Sequence, residues 1–355
     1  MKVFTIEKAE WENGICRLAG SYALFGPVRE QDFHLFKPLK NGRLPDIPAQ
    51  NTRMSIKDVL YPQSQPMFDY SLDKSDEDHH QLKDVPWDEK TPRAVIGLRP
   101  CDADAMTLVG RNFVAEDVED PYWVRSLAAT TLAGYACDNP CPVCFCTSAG
   151  SGPYHDASLD LLLADSDGAI LAKAVTAKGE KLLAAAGWDA AEDGSLAETI
   201  AARKEAAEAK VSAHVTTDKL AGHDTIALYN AGFWEDVAFS CINCGTCTFL
   251  CPTCWCFDIQ DETHGAKGRR MRNWDSCMFP LFTLHGSGHN PRGRKVQRVR
   301  QRFMHKLKYY VDTYENGIQC VGCGRCVMHC PVNIDIRRVI GLMNDLDPDA
   351  EACDM

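Results

Sequence analysis

Two stretches in the last third of the chain repeat one cysteine spacing: Cys241, Cys244, Cys247 and Cys251-Pro252, then Cys320, Cys323, Cys326 and Cys330-Pro331. Three thiolates at this spacing can wrap one 4Fe-4S cube, while the cysteine ahead of proline points away and reaches the neighbouring cube. By that rule one cluster takes Cys241, Cys244, Cys247 and Cys330, and the other takes Cys320, Cys323, Cys326 and Cys251. Such a chain moves single electrons. A structural zinc scaffold is the rival reading, but zinc prefers paired cysteines parted by a longer spacer, and two complete runs with both prolines are hard to reach by chance. Gly245 and Gly324 let backbone amides approach sulfide, and Pro252 and Pro331 set the chain direction after the exchanged ligand.

Eighteen cysteines in 355 residues are better explained by metal ligation than by disulfides, because cytosolic reductants keep thiols free and cluster assembly needs thiolate. The segment Met1 to Glu10 is charged, and the chain has no run of about eighteen apolar residues that could span a bilayer. A globular cytoplasmic protein without a membrane span is therefore expected, and an apolar fraction of 45% suffices for two or three domains. Residues 241–355 hold 15 Lys+Arg against 12 Asp+Glu although the whole chain carries a net charge of −11, so a basic excess sits with the cysteine motifs. It can offset cofactor charge or offer a docking face.

The first ninety residues alternate short apolar runs with turn formers such as Gly26-Pro27 and Asn41-Gly42, which predicts strands and loops more than long helices. Arg93 to Leu98 reads as a buried strand that delivers Pro100-Cys101-Asp102 at its carboxyl end, where α/β folds place ligands. Leu159 to Leu163 and Ala169 to Val175 read as a strand pair around an Asp167-Gly168 turn, and Lys178 to Val211 as two surface helices. The long gap from Cys251 to Cys320 exceeds what a compact bacterial ferredoxin accommodates. Val296 to Tyr310, with Val299, Phe303, Leu307 and Tyr310 at helical spacing, and Ile336 to Leu346 point to helices instead. The expected class is α+β: a mixed α/β domain over 1–230, carrying a cysteine loop at 101–146, and an all-helical dicluster ferredoxin domain over 231–355.

That loop holds Cys101, Cys137, Cys141, Cys144 and Cys146. Five thiols near three loops can close a third 4Fe-4S cube, with Cys101, Cys137, Cys144 and Cys146 as the chosen ligands; the run is rich in Pro and Gly, so its amides can turn toward sulfur. Buried free thiols are the plainer alternative, and a redox-active pair at Cys141 and Cys144 is a third. Cys254, Cys256 and Cys277, with His289 nearby in sequence, could bind metal, but Trp255, Phe257 and Trp274 around them favour packing beside the adjacent cluster. Cys16 and Cys353 stand alone.

The ordered set GLRPCD at 97–102, CFCTSAGSGP at 144–153, DLLLAD at 160–165, CINCGTCTFLCPTCWCFD at 241–258, RNWDSCMF at 272–279, GSGHNPRGR at 286–294 and CVGCGRCVMHCPVNIDI at 320–336 resembles one family. These are the 4Fe-4S dicluster electron-transfer subunits found as the beta subunit of soluble sulfhydrogenases, the A subunit of anaerobic sulfite reductase, and a subunit of flavin oxidoreductases coupled to heterodisulfide reductase. The resemblance runs from about residue 50 to residue 340. It implies a non-catalytic, ferredoxin-type subunit of an oxidoreductase complex in anaerobic metabolism. Its partners would be a flavoprotein that handles NAD(P)H and a catalytic redox subunit of the hydrogenase, sulfite reductase or heterodisulfide reductase type. In that family the first cysteine loop usually has fewer cysteines, so Cys141 is a departure.

Other chemistry finds little footing. The Gly150-Ser151-Gly152 and Gly286-Ser287-Gly288 runs are broken by Pro153 and Pro291, and the spacing Gly288 to Gly293 leads into Arg294-Lys295 where a phosphate loop needs Lys followed by Ser or Thr. The basic run Arg292, Arg294, Lys295, Arg298, Arg300, Arg302, Lys306 and Lys308 reads as a solvated helix face that steers an acidic redox partner, not as a nucleic-acid grip. His155 and His329 read as structural hydrogen-bonders. The functional alternative to the relay is an enzyme that reduces a disulfide or sulfur compound on Cys254, Cys256 and Cys277 or on the upstream loop.

Overall fold

The computed structural model describes residues 2–79, 81–87, 91–166, 168–189 and 193–347. Its strands are β1 (Val3–Glu7), β2 (Ala23–Glu30), β3 (Phe33–Pro38), β4 (Ser64–Ser71), β5 (Lys83–Asp84), β6 (Arg93–Leu98), β7 (Thr130–Tyr135), β8 (Leu161–Ser166), β9 (Ala169–Ala174), β10 (Phe257–His264) and β11 (Lys267–Trp274). A seven-stranded sheet runs in the order β1-β9-β8-β7-β6-β2-β3. Its centre is parallel, β2 with β6, β6 with β7 and β7 with β8, and its edges are antiparallel.

A parallel centre needs both faces covered, and the residues of β6 show how the sequence meets that need. Ala94 and Ile96 pack on one side with Ile15, Leu18 and Leu182, whereas Val95 and Leu98 pack on the other with Met106, Val109 and Trp123. The alternation slips at Gly97, whose φ of +82° makes a bulge against β7. The predicted strand at 93–98, the β8–β9 hairpin and the two helices, Ala177–Ala186 and Leu196–Glu208, are present. Cys353 and Asp167 lie outside the described residues.

The N-terminal part also contains a helix, Lys8–Leu18, where strands and loops were expected. Within that helix, Gly14 faces a residue from far along the chain. A Cβ there would lie 2.0 Å from Trp188 Nε1, and Trp188 stacks on Trp11 with ring centroids 4.7 Å apart. The glycine makes room for an indole, and Trp11, Ile15 and Leu18 supply the buried helical stripe.

The segment 231–355 is not all-helical. Helices Phe233–Phe239, Thr246–Phe249, Lys295–Met304, Tyr310–Tyr314, Arg325–Met328 and Ile336–Asn344 are present, yet β10 and β11 form a hairpin through Gly265-Ala266. Gly265, φ +62°, suits a two-residue hairpin loop. The hairpin does not stand alone, for β11 pairs with β4, giving a four-stranded antiparallel sheet β10-β11-β4-β5 built from both halves of the chain. An isolated hairpin is marginal in water, so the residues that make it stable come from far upstream, out of reach of local periodicity.

Two further ties join the halves. The Phe145 amide donates to the Gly322 carbonyl at 2.9 Å. The Arg325 guanidinium donates to both carboxylate oxygens of Asp102, at 2.5 and 2.8 Å, with both side chains almost wholly buried.

Candidate metal centre

The two cysteine motifs fold alike because their sequences place small or turn-forming residues at the same two steps. In the first, Asn243 and Gly245 adopt φ of +56° and +75°; in the second, Gly322 and Gly324 adopt +64° and +73°. Successive left-handed residues turn the backbone amides inward. The amides of Asn243 and Gly322 donate to Cys241 Sγ at 3.4 Å and Cys320 Sγ at 3.5 Å, and Ile334 donates to Cys330 Sγ at 3.2 Å. Such bonds stabilise thiolate and tune a bound cluster. Gly245 and Gly324 then start the short helices Thr246–Phe249 and Arg325–Met328.

These turns bring the thiols into separate nests. Cys241, Cys244, Cys247 and Cys330 line one cavity with Val299 and Phe303. Cys251, Cys320, Cys323 and Cys326 line a second with Thr253 and Lys306. The cysteine ahead of each proline thus sits with the other motif. A third cavity is lined by Cys101, Cys137, Cys141, Cys144 and Cys146, and also by Cys323. It lies at the carboxyl ends of the neighbouring parallel strands β6 and β7, since Cys101 opens the helix Pro100–Gly110 after β6 and the other four follow β7. Of the upstream thiols, Cys141 approaches Gln50 Oε1 at 3.7 Å and Cys144 the Cys323 carbonyl at 3.6 Å.

The donor set fits iron-sulfur cofactors. Burial pushes the Cys323 and Cys146 thiols up to about 12 and Cys326 up to about 11, against the opposing pull of Arg325 on Cys323 and of Arg302 and Lys306 on Cys326. Buried cations stand beside all three nests. Lys306 Nζ donates to Thr253 Oγ1 at 2.7 Å beside the second nest, Arg325 lies next to Cys326, and Arg99 reaches the Ala136 carbonyl at 2.7 Å at the third. The basic stretch is accordingly not a solvated face: Arg298, Arg302, Lys306 and Lys308 are all buried. Their signal was legible, since residues 298, 302 and 306 recur at four-residue steps on one side of a helix. A turn of π-helix at His305–Tyr309 interrupts that helix where Lys306 meets the second nest. Acidic partners, by contrast, find exposed cations only at its start, as at Arg294.

The remaining thiols are packed together. Cys254 shares a hydrogen bond with Cys251, and Cys256 shares one with Cys277 and is lowered to about 7 by it. Lys57 Nζ donates to the carbonyls of Cys251 at 3.1 Å and Cys254 at 2.9 Å and lies 3.8 Å from the centre of the Trp274 ring. Among the described residues no three His, Cys, Asp or Glu side chains are placed to hold a single metal ion. His289 lies apart in an exposed loop against His285, Cys16 is exposed, and His155 is held by Asp104 at 2.9 Å. An open groove between Asp69, Asp78, Lys83 and Arg269 contains no cysteine.

Gly322 is the tightest point between the second and third nests. A Cβ there would fall 2.5 Å from the backbone of Phe145 and Cys146. Gly322→Ala is therefore expected to cost about 1–3 kcal/mol of stability and to lower iron content, measured by denaturant titration and iron assay of protein prepared without oxygen. A variant as stable and as iron-rich as the parent contradicts this packing.

Comparison with known proteins agrees with this architecture. Residues 240–334 match the model of a 4Fe-4S dicluster domain. Over 322 residues the chain is 27% identical to sulfhydrogenase 2 subunit beta of Pyrococcus furiosus, covering 89% of this chain and 91% of that one. No helix among the described residues is long and apolar enough to cross a membrane. The chain is an iron-sulfur electron-transfer protein, similar over residues 240–334 to 4Fe-4S dicluster domains and over most of its length to a sulfhydrogenase beta subunit.

Proposed function

We propose that this chain relays electrons one at a time between a flavoprotein that handles NAD(P)H and the catalytic subunit of a hydrogenase, sulfite reductase or heterodisulfide reductase type complex, and is not itself catalytic. One observation carries the reading: the thiol-lined nests are contiguous. Arg302 borders the first and second, Cys323 borders the second and third, and Cys244 opens the first to the surface. A 4Fe-4S cluster in each nest would supply a one-electron acceptor.

In this reading Cys241, Cys244, Cys247 and Cys330 hold one cluster, Cys251, Cys320, Cys323 and Cys326 hold a second, and Cys101, Cys137, Cys144 and Cys146 hold a third. Residues 231–355 carry the first two nests and 1–230 the third. The residues of this chain exclude water from the inner nests, orient amides at sulfur and place buried cations beside thiolate, which lets charge move without moving atoms. The NAD(P)H-handling partner is taken from the family resemblance, and cytoplasmic placement from the wealth of free thiols.

The test is to purify the protein anaerobically and count iron, sulfide and flavin. About twelve iron atoms per chain and no flavin is the expected result, against about eight if only the paired motifs are filled. A colourless, iron-free preparation with no low-temperature EPR signal after dithionite ends the proposal.

A further inference from the structure

Four buried cations surround the second nest or its borders, and three of them are answered by oxygen. Arg325 is paired with Asp102, Lys306 donates to Thr253 Oγ1 and toward the Gln319 carbonyl, and Lys57 donates to the carbonyls of Cys251 and Cys254. The fourth, Arg302, is different. It is only 5% exposed, no carboxylate among the described residues pairs with it, and its Nε has no hydrogen-bond partner. The face of the Phe303 ring lies 4.3 Å from its guanidinium carbon.

A buried guanidinium without an answering charge is costly, and it persists only where something negative faces it. Arg302 is the side chain that lines both the nest of Cys241, Cys244, Cys247 and Cys330 and the nest of Cys251, Cys320, Cys323 and Cys326. The sulfurs that face it therefore come from both motifs at once.

We infer that Arg302 is a shared electrostatic bridge between the two nests, whose planar guanidinium faces both clusters and raises both reduction potentials together. The inference rests on the reading of these nests as cluster sites. Adding an electron makes a cluster more negative, so a fixed cation beside it favours the reduced form, and one cation serving two clusters shifts both potentials in the same direction. A guanidinium suits this role because it is flat, delocalised and charged at every relevant pH, whereas a lysine ammonium is a compact charge that can face one nest at a time. Arg302, buried between the two nests, is thus a positioning and tuning residue.

The experiment is an EPR-monitored redox titration of the full chain, purified anaerobically, as parent, Arg302→Gln and Arg302→Lys, with iron and sulfide counts on each. Arg302→Gln is expected to make reduction of both clusters about tenfold less favourable, a fall of about 59 mV for a one-electron couple. Arg302→Lys keeps the charge and hence the fold, and is expected to hold one potential near the parent value while the other falls. Should Arg302→Gln fail to retain iron, the lysine variant alone decides. Parent-like potentials at both clusters in either iron-replete variant overturn the bridge without touching the relay reading, which fails separately if the parent protein lacks iron and sulfide.

Discussion

Cys323→Ser is expected to remove one cluster and to stop NAD(P)H-driven turnover of the assembled complex, while the catalytic partner's direct activity with an artificial dye persists. The thiol sits in the second nest, borders the third and is 8% exposed. Burial holds its thiol near 12, and a serine hydroxyl in the same place is harder still to ionise and a poorer match for iron. Loss at the middle of a series of one-electron sites breaks the whole series, so the effect on physiological electron flow is all or nothing. The iron count distinguishes loss of a cluster from loss of the fold. Cys244→Ser makes a companion at the exposed end of the first nest, where the same loss of turnover is expected with the inner sites intact. Undiminished NAD(P)H-driven turnover in both variants would show that electrons do not pass this way.

Asp102→Ala is expected to destabilise the chain by about 3–5 kcal/mol, because it leaves the Arg325 guanidinium buried without its anion. Both side chains are at most 1% exposed, and the carboxylate receives two hydrogen bonds from the guanidinium. Thr52 contributes its carbonyl at 2.8 Å and its hydroxyl at 3.1 Å to the same guanidinium, which spares some of the loss but carries no charge. Asp102 follows Cys101 and Arg325 precedes Cys326, so the pair ties the third nest to the second as well as one half of the chain to the other. Denaturant unfolding of anaerobic protein should therefore show a lower midpoint together with loss of iron. Asp102→Asn, which keeps an acceptor oxygen, should fall between the two. A parent-like midpoint for Asp102→Ala would mean that water or another group reaches Arg325 and that the ion pair is not what holds this junction.

How far the residues spoke for themselves depended on the reach of each signal. The paired cysteine motifs are local, and Asn243, Gly245, Gly322 and Gly324 dictate the same turn in each. The strand at Arg93–Leu98 and the helical stripe of Val299, Phe303 and Leu307 were equally plain, since their neighbours in space are repeated every two or every four residues in sequence. Where a residue answers to a distant partner, the local reading failed. The helix Lys8–Leu18 was not foreseen because Trp188, which packs against its Gly14 and Trp11, is far away in sequence. Arg302 and Lys306 looked solvent-facing because the groups they meet, cysteines of both motifs and the Thr253 hydroxyl, lie far off in sequence.

From the order of residues alone came the iron-sulfur chemistry and the αβ character of the first half, because thiol spacing and hydrophobic period are properties of short segments. Tertiary structure alone decided that the β10–β11 hairpin would complete a sheet with β4, that Cys323 would stand between two nests, and that one guanidinium would lie between two sets of thiols. Those outcomes depend on which segments meet after the chain has closed around its cores, and a buried charge takes its meaning from the groups that surround it in space.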